Sequence, residues 1–337
     1  MSIIDQTTEI FRPADHDELA AAVEAYITKE DRTHGPIGTW DTSGVTDMSG
    51  IFRDYLGRYR YFDEDISGWD TSSVTDMSNM FWCASNLNQQ LDTHTVTRPD
   101  GTTYMAWDVS RVTNMTGMFW GASNFNQSLS NWDVSSITDT SSMFFEASSF
   151  NQPLSMWNVS NVVDMSYMFR DAKSFNQPLN NWNTSSVTNM RHMFDSAENF
   201  NQPLDTHTVT REDGTSYEAW DISSVTSMHN MFSGARSFNQ DISMWNVSNV
   251  TNMSSMFFEA SSFNQDISTW NISNVKNMNF MFTKATTMLQ KFTNIKSKYY
   301  EDITCTKIWS EWFPRKKPTK SATKLVNRPA GPGEGGR

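Results

Sequence analysis

Leu154-Ser-Met-Trp157-Asn-Val159-Ser-Asn-Val162-Val-Asp-Met165-Ser-Tyr-Met168-Phe169-Arg-Asp-Ala172-Lys-Ser-Phe175-Asn-Gln177 is one complete unit of this chain. Trp157 and Val159 are two residues apart, which on a strand sends both to one face and Asn158 to the other. The period then changes: Met165, Met168, Phe169 and Ala172 fall at i, i+3, i+4 and i+7, one face of a helix. Asp164, just ahead of them, suits an N-cap, and other units place Asp47, Asp76, Asn114, Asp139, Asn189 and Asn252 there. The unit therefore predicts strand, turn, short helix and a return through Phe-Asn-Gln. So short a helix depends on its neighbours for stability.

Nine tryptophans mark the repetition of this unit: Trp40, Trp69, Trp107, Trp132, Trp157, Trp182, Trp220, Trp245 and Trp270. Their spacings are 29, 38, 25, 25, 25, 38, 25 and 25, so the long gaps are the basic period plus a 13-residue insert. A fixed period of this length predicts units that bury their apolar faces only against neighbours. The expected architecture is an α/β repeat solenoid of leucine-rich-repeat type over residues 37–291. Short parallel strands would line one side and short helices the other. The spacing L-x-x-W-x-V-x-x-V has the form of the strand half of a leucine-rich repeat. The regular phase of the Trp and Met columns reads as core rather than as a stacking platform or a thioether copper site.

The ends and inserts complete the plan. Residues 13–29 read as a capping helix with an acidic first turn, within an N-terminal segment 1–36. Residues 292–300 read as a degenerate tenth strand, with 303–313 closing a C-terminal cap that spans 292–314. A basic disordered tail follows at 315–337, with seven Lys or Arg against one Glu. The inserts, at 93–105 and 206–218, are near copies 113 residues apart. Alternating Thr and Val, an Asp-Gly pair and then Tyr predict a β-hairpin in each. Irregular loops are where repeat proteins often place recognition, although a copied insert is an equal reading.

Formal net charge is −12, and about −18 without the tail, a balance that should repel nucleic acid. No stretch approaches about 20 apolar residues, so no membrane span is expected. The N-terminus shows neither a basic nor an apolar signal region. Cys83 and Cys305 make no disulfide framework. No phosphate-cradling loop, Cys/His cluster or nucleophile elbow occurs, so an enzyme is the least expected class. His16 and His34 carry no motif, and His192 and His229 are expected to face solvent. Eight N-x-S/T sequons, several inside W-N-V-S-N-V-T-N-M-S, read as by-products of repeat composition.

The strongest polar feature is the residue after each Trp: Asp41, Asp70, Asp108, Asp133, Asn158, Asn183, Asp221, Asn246 and Asn271. On stacked parallel strands these would lie about 4.8 Å apart on one exposed face. Calcium could bridge such carboxylates, but Asp-x-Ser can also satisfy backbone donors locally. No cofactor is expected otherwise. With this column, His94, Tyr104, His207 and Tyr217 of the inserts are the candidate binding residues.

The consensus W-D/N-V/T/I-S-x-V-T-D/N-M-S-x-M-F-x-x-A-x-x-F-N-Q, over about residues 37–290, resembles the repeat of BspA-type leucine-rich-repeat surface proteins, shared with mycoplasma lipoproteins. The opening Gly35-Pro-Ile-Gly-Thr-Trp40-Asp-Thr-Ser-Gly-Val-Thr-Asp-Met-Ser49 is similar to versions in marine microalgae and large DNA viruses. The resemblance implies binding or adhesion modules, often at the cell surface, and no catalytic set. This chain shows no signal peptide, lipobox or wall anchor, which leaves its location open. The expected function is a non-enzymatic scaffold for an unknown protein or glycan partner. A structural component of a virus particle or surface layer, and ice or mineral binding, are the alternatives.

Overall fold

The computed structural model describes residues 10–29, 31–53 and 57–292. The tenth strand beyond Phe292, the closing segment at 303–313 and the basic tail lie outside the described residues. Helix α1, His16–Thr28, opens the chain. The Asp15 carboxylate accepts the Glu18 backbone N–H at 3.0 Å, and Asp17 and Glu18 suit the positive helix start. Lys29, left-handed at φ 64°, ends the helix. Leu19, Val23 and Tyr26 are buried, with Tyr26 edge-on to Trp40.

The repeats do not form the expected α/β repeat solenoid. Among the described residues the regular elements are α1, a 3-10 turn at Ile37–Thr39, two two-stranded sheets and a short terminal helix, α2 (Thr286–Phe292). All else is turns and extended segments. The predicted strand around Trp157 is absent because its backbone bends: Trp157 donates to the Leu154 carbonyl and Val162 to that of Val159. Asn158 tightens the bend by accepting the Ser160 N–H. What parallel pairing exists is one isolated bridge per unit. It runs through the residues expected to cap helices, Asp47, Asp76, Asn114, Asp139 and Asp164 onward.

The predicted helices fail for a clear reason. Met165, Tyr167, Phe169 and Asp171 send their N–H groups to carbonyls of the next unit, while Met168, Arg170 and Ala172 close turns onto residues three back. Tyr167 and Asp171 are left-handed, at φ 60° and 57°. An α-helix tolerates neither, since its N–H groups must point back along its own axis. The pattern recurs at Asn79 and Cys83, Gly117 and Gly121, and Ser142 and Glu146. The segment is thus a ribbon of turns bonded to its neighbour on alternate residues.

The inward set is nevertheless the one the spacing marks. Met165, Met168, Phe169 and Ala172 are all fully buried, as are most of their counterparts. Phe144, Phe169 and Phe194 stack at 5.6 Å, one ring per unit. Each buried Trp from Trp69 to Trp270 donates its indole N–H to a carbonyl of the preceding unit, as Trp157 does to Leu129 at 3.0 Å. The Trp row is therefore both apolar filling and a polar clamp between units.

Candidate functional site

Each insert forms a hairpin. Strands β1 (His94–Thr97) and β2 (Thr103–Ala106) pair antiparallel, as do β3 (His207–Thr210) and β4 (Ser216–Ala219). Their tips are built alike. Asp100 accepts from the Thr102 N–H and hydroxyl, and Asp213 from those of Thr215. Gly101 and Gly214 take the positive φ the turn requires, 86° and 82°.

Both hairpins fold back over the preceding unit. The Tyr104 hydroxyl donates to the Gly68 carbonyl, and that of Tyr217 to the Asn181 carbonyl at 2.6 Å. Arginines accompany both tyrosines. Arg98 lies 4.1 Å over the Tyr104 ring and Arg211 4.6 Å over that of Tyr217. His94 and His207 sit at the roots, each ring Nδ1 about 3 Å from the carbonyl two residues back, 3.0 Å from Asp92 and 3.1 Å from Asp205.

Under the first hairpin lies a cleft of about 350 Å³, walled by Trp40, Val96, Tyr104 and Ile10 and edged by two ion pairs. Arg12 Nε meets Asp41 Oδ2 at 2.9 Å, and Arg98 Nη2 meets Asp70 Oδ2 at 3.2 Å. Asp70 is 7% exposed. Partial burial pushes the Asp41 carboxyl up, but the Ser43 hydroxyl and N–H, with Arg12 and Arg98, outweigh it and hold the group below its usual range. Burial also raises the Tyr104 hydroxyl, Arg98 offsetting part of that effect and Asp70 and Asp41 adding to it.

The Asp/Asn column is carried on turns rather than strands, and its side chains make local Asp-x-Ser contacts. Each closes a local turn by accepting the N–H of the Ser two residues on: Asp41 from Ser43, Asp70 from Ser72, Asp108 from Ser110 and Asp133 from Ser135. Asn158, Asn183, Asp221, Asn246 and Asn271 do the same with Ser160, Ser185, Ser223, Ser248 and Ser273. Only Asp41 and Asp70 of this column reach the cleft. Among the described residues no group of three His, Cys, Asp or Glu side chains is placed to hold a metal ion.

Sequence reasoning missed Arg98 and Arg12, although the repetition of Arg98 as Arg211 in the second insert was a readable hint. It also misplaced His192. That ring is only 11% exposed, stacks on Tyr167 at 4.4 Å and places Nδ1 2.9 Å from Asp195. His229 packs edge-on to it at 4.9 Å and holds the Ser254 hydroxyl at 2.7 Å. Beside them burial pushes the Asp171 carboxyl up, with Arg170 opposing and Asp195 reinforcing the shift.

The family described as "Mycoplasma protein of unknown function, DUF285" matches three times, over residues 21–106, 101–207 and 207–309. The chain belongs to this family. It is a repeat protein whose matched segments together take in both hairpins and the cleft lining from Gly38 onward, Ile10 and Arg12 lying ahead of them. Comparison with curated proteins gives no match, and comparison with solved structures gives none. No helix among the described residues is long and apolar enough to cross a membrane.

Proposed function

We propose that this chain is a non-enzymatic binding scaffold that captures a protein or glycan partner, with the two hairpins as its recognition elements. The observation that carries the reading is the cleft under the first hairpin. Two arginines, two carboxylates and partly buried Tyr104 converge there, and no other Asp or Asn of the column lines it. Concave sites with a few convergent polar groups on an apolar wall are the usual form of ligand pockets. The likeness to BspA-type surface proteins points the same way. Deleting residues 93–105 and 206–218, singly and together, tests the reading by partner capture from the source. Loss of capture on deletion is the expected result, and capture unchanged by the double deletion would sink it.

A structural or assembly role is favoured by a different observation. Met156 and Met244, each just before a Trp, are 80% and 76% exposed, and Phe280 is 63% exposed. Under that reading purified protein sediments as concentration-dependent polymers, and replacing both methionines by Gln dissolves them.

A further inference from the structure

The cleft beneath the first hairpin has a charge pattern that selects its ligand. Its charged lining groups are Arg12, Arg98, Asp41 and Asp70, which sum to zero. Asp70 is almost wholly buried, and its two oxygens are taken by Ser72 and Arg98. An anionic ligand drawing Arg98 away would strand that buried carboxylate, and a cation drawing Asp70 away would strand Arg98. The acidic body of the chain adds long-range repulsion against anions. A ligand that leaves both ion pairs closed meets a lining of zero net charge, which favours an electrically neutral one.

Neutral does not mean apolar. Arg98 gives Asp70 one of its five N–H donors and faces Tyr104 with its plane, so further donors remain at the cleft edge. Arg12, bound to Asp41 through Nε, keeps its terminal N–H groups for the same edge. An aliphatic or aromatic side chain filling the space would take water from these donors and return no hydrogen bond. The apolar lining is Val96, Pro99 and Ile10, with Trp40 almost wholly buried behind them, and these groups suit C–H faces. A molecule with hydroxyls on its rim and C–H groups on its face meets both demands. The volume, about 350 Å³, is that of a site for one or two sugar rings.

Resting on the binding-scaffold reading above, we propose that this cleft holds the terminal residue of a neutral glycan, a hexose or N-acetylhexosamine. The two ion pairs offer their spare N–H donors to its hydroxyls, and Val96 and Ile10 take the sugar's C–H face. The first hairpin is then the wall that completes a sugar subsite.

The test uses the full chain on a panel of oligosaccharides ending in neutral hexoses, N-acetylhexosamines, uronates or sulfated sugars, followed by saturation-transfer NMR on the best binders. Neutral ends should bind and acidic ends should not. Thr97→Trp, at an exposed position on the rim of the cleft, should crowd its mouth and weaken binding at least tenfold without moving the thermal transition. Arg98→Met should weaken it similarly. Preference for acidic ends, no neutral binder, or neutral binding indifferent to Thr97→Trp would each overturn the proposal, as would displacement of the sugar by apolar peptides with higher affinity. If Thr97→Trp leaves capture intact while deletion of 206–218 abolishes it, the scaffold reading survives and the sugar cleft falls. If neither change matters, both fall.

Discussion

The two hairpins are near copies in sequence yet are held very differently. The first lies over two carboxylates, Asp41 and Asp70, the second over two amides, Asn158 and Asn183, at the same positions of their units. Arg98 is therefore locked to Asp70, while Arg211 has no carboxylate partner among the described residues. The roots differ more. Asp92 is 7% exposed and accepts from Asn131 N–H at 2.9 Å, Thr93 N–H and the Ser128 hydroxyl. Its counterpart Asp205 has a side chain 51% exposed beside His207. The next unit there offers Asp241 and Met244 where the first has Ser128 and Asn131. Val96 and Tyr104 also pack on the hydrophobic core. A duplicated insert has thus been built into the body at one site and left on a looser tether at the other.

Breaking the root gives the largest expected effect. Asp92→Ala leaves a buried N–H and at least one hydroxyl without an acceptor, at a cost of about 2–4 kcal/mol. Asp205→Ala, at an exposed position, should cost less than about 0.5 kcal/mol. Native-state hydrogen exchange of the strand amides reads both. In the parent chain β1 and β2 should exchange at least tenfold more slowly than β3 and β4. The Asp92→Ala change should erase that gap and the Asp205→Ala change should leave it. Equal protection of the two hairpins at the outset would end the comparison.

The converse experiment adds the missing tether. Asn183→Asp supplies Arg211 with the carboxylate that Arg98 has in Asp70. The new pair is more exposed than its model, since Arg211 is solvent-facing, so the gain should be about 0.5–1 kcal/mol rather than that of a buried pair. Slower exchange at β3 and β4, by roughly two- to fivefold, is the expected result. No change would mean that the root, rather than the tip, sets the difference.

Much of this contrast could be read in the sequence, and the part that could not has a physical cause. Alternating Thr and Val around Asp-Gly announce both hairpins, and the inward row of Trp, Met and Phe follows from spacing alone. The secondary structure of the plain repeat does not follow. A ribbon of turns closing Met165 to Met168 and Phe169 to Ala172 buries the same side chains as a helix would. Its diagnostic feature is the left-handed backbone at two positions per unit. Tyr167, Asp171, Glu146 and Lys284 occupy those positions without announcing it, while Gly50, Gly117, Gly121 and Gly234 give a hint. The cleft was hidden for another reason. Arg98 meets an Asp70 that lies 28 residues away, and only the fold-back of the hairpin over the previous unit brings the two together.

The smallest expected effect is an acid one, and it falls on the first hairpin alone. Partial burial raises the Asp41 carboxyl, but the Ser43 donors, Arg12 and Arg98 overcome that and leave it below the ordinary 3.8. A carboxyl lowered on folding contributes stability that is complete above its unfolded value and is lost as pH falls through its folded value. The window is therefore below about pH 4, and solvent screening of this partly buried group keeps the change to a few-fold in exchange rate. Asp100 and Asp213 are both lowered, chiefly by the hydroxyls of Thr102 and Thr215, so the tips cancel between the hairpins. Asn158, where the second hairpin has its counterpart of Asp41, does not titrate. Lowering the pH from 6 to 3 should accordingly narrow the exchange gap from the first hairpin's side. Asp41→Asn should remove that pH dependence while leaving β3 and β4 unaltered. A gap that narrowed equally in the variant would remove Asp41 as the source of the acid effect.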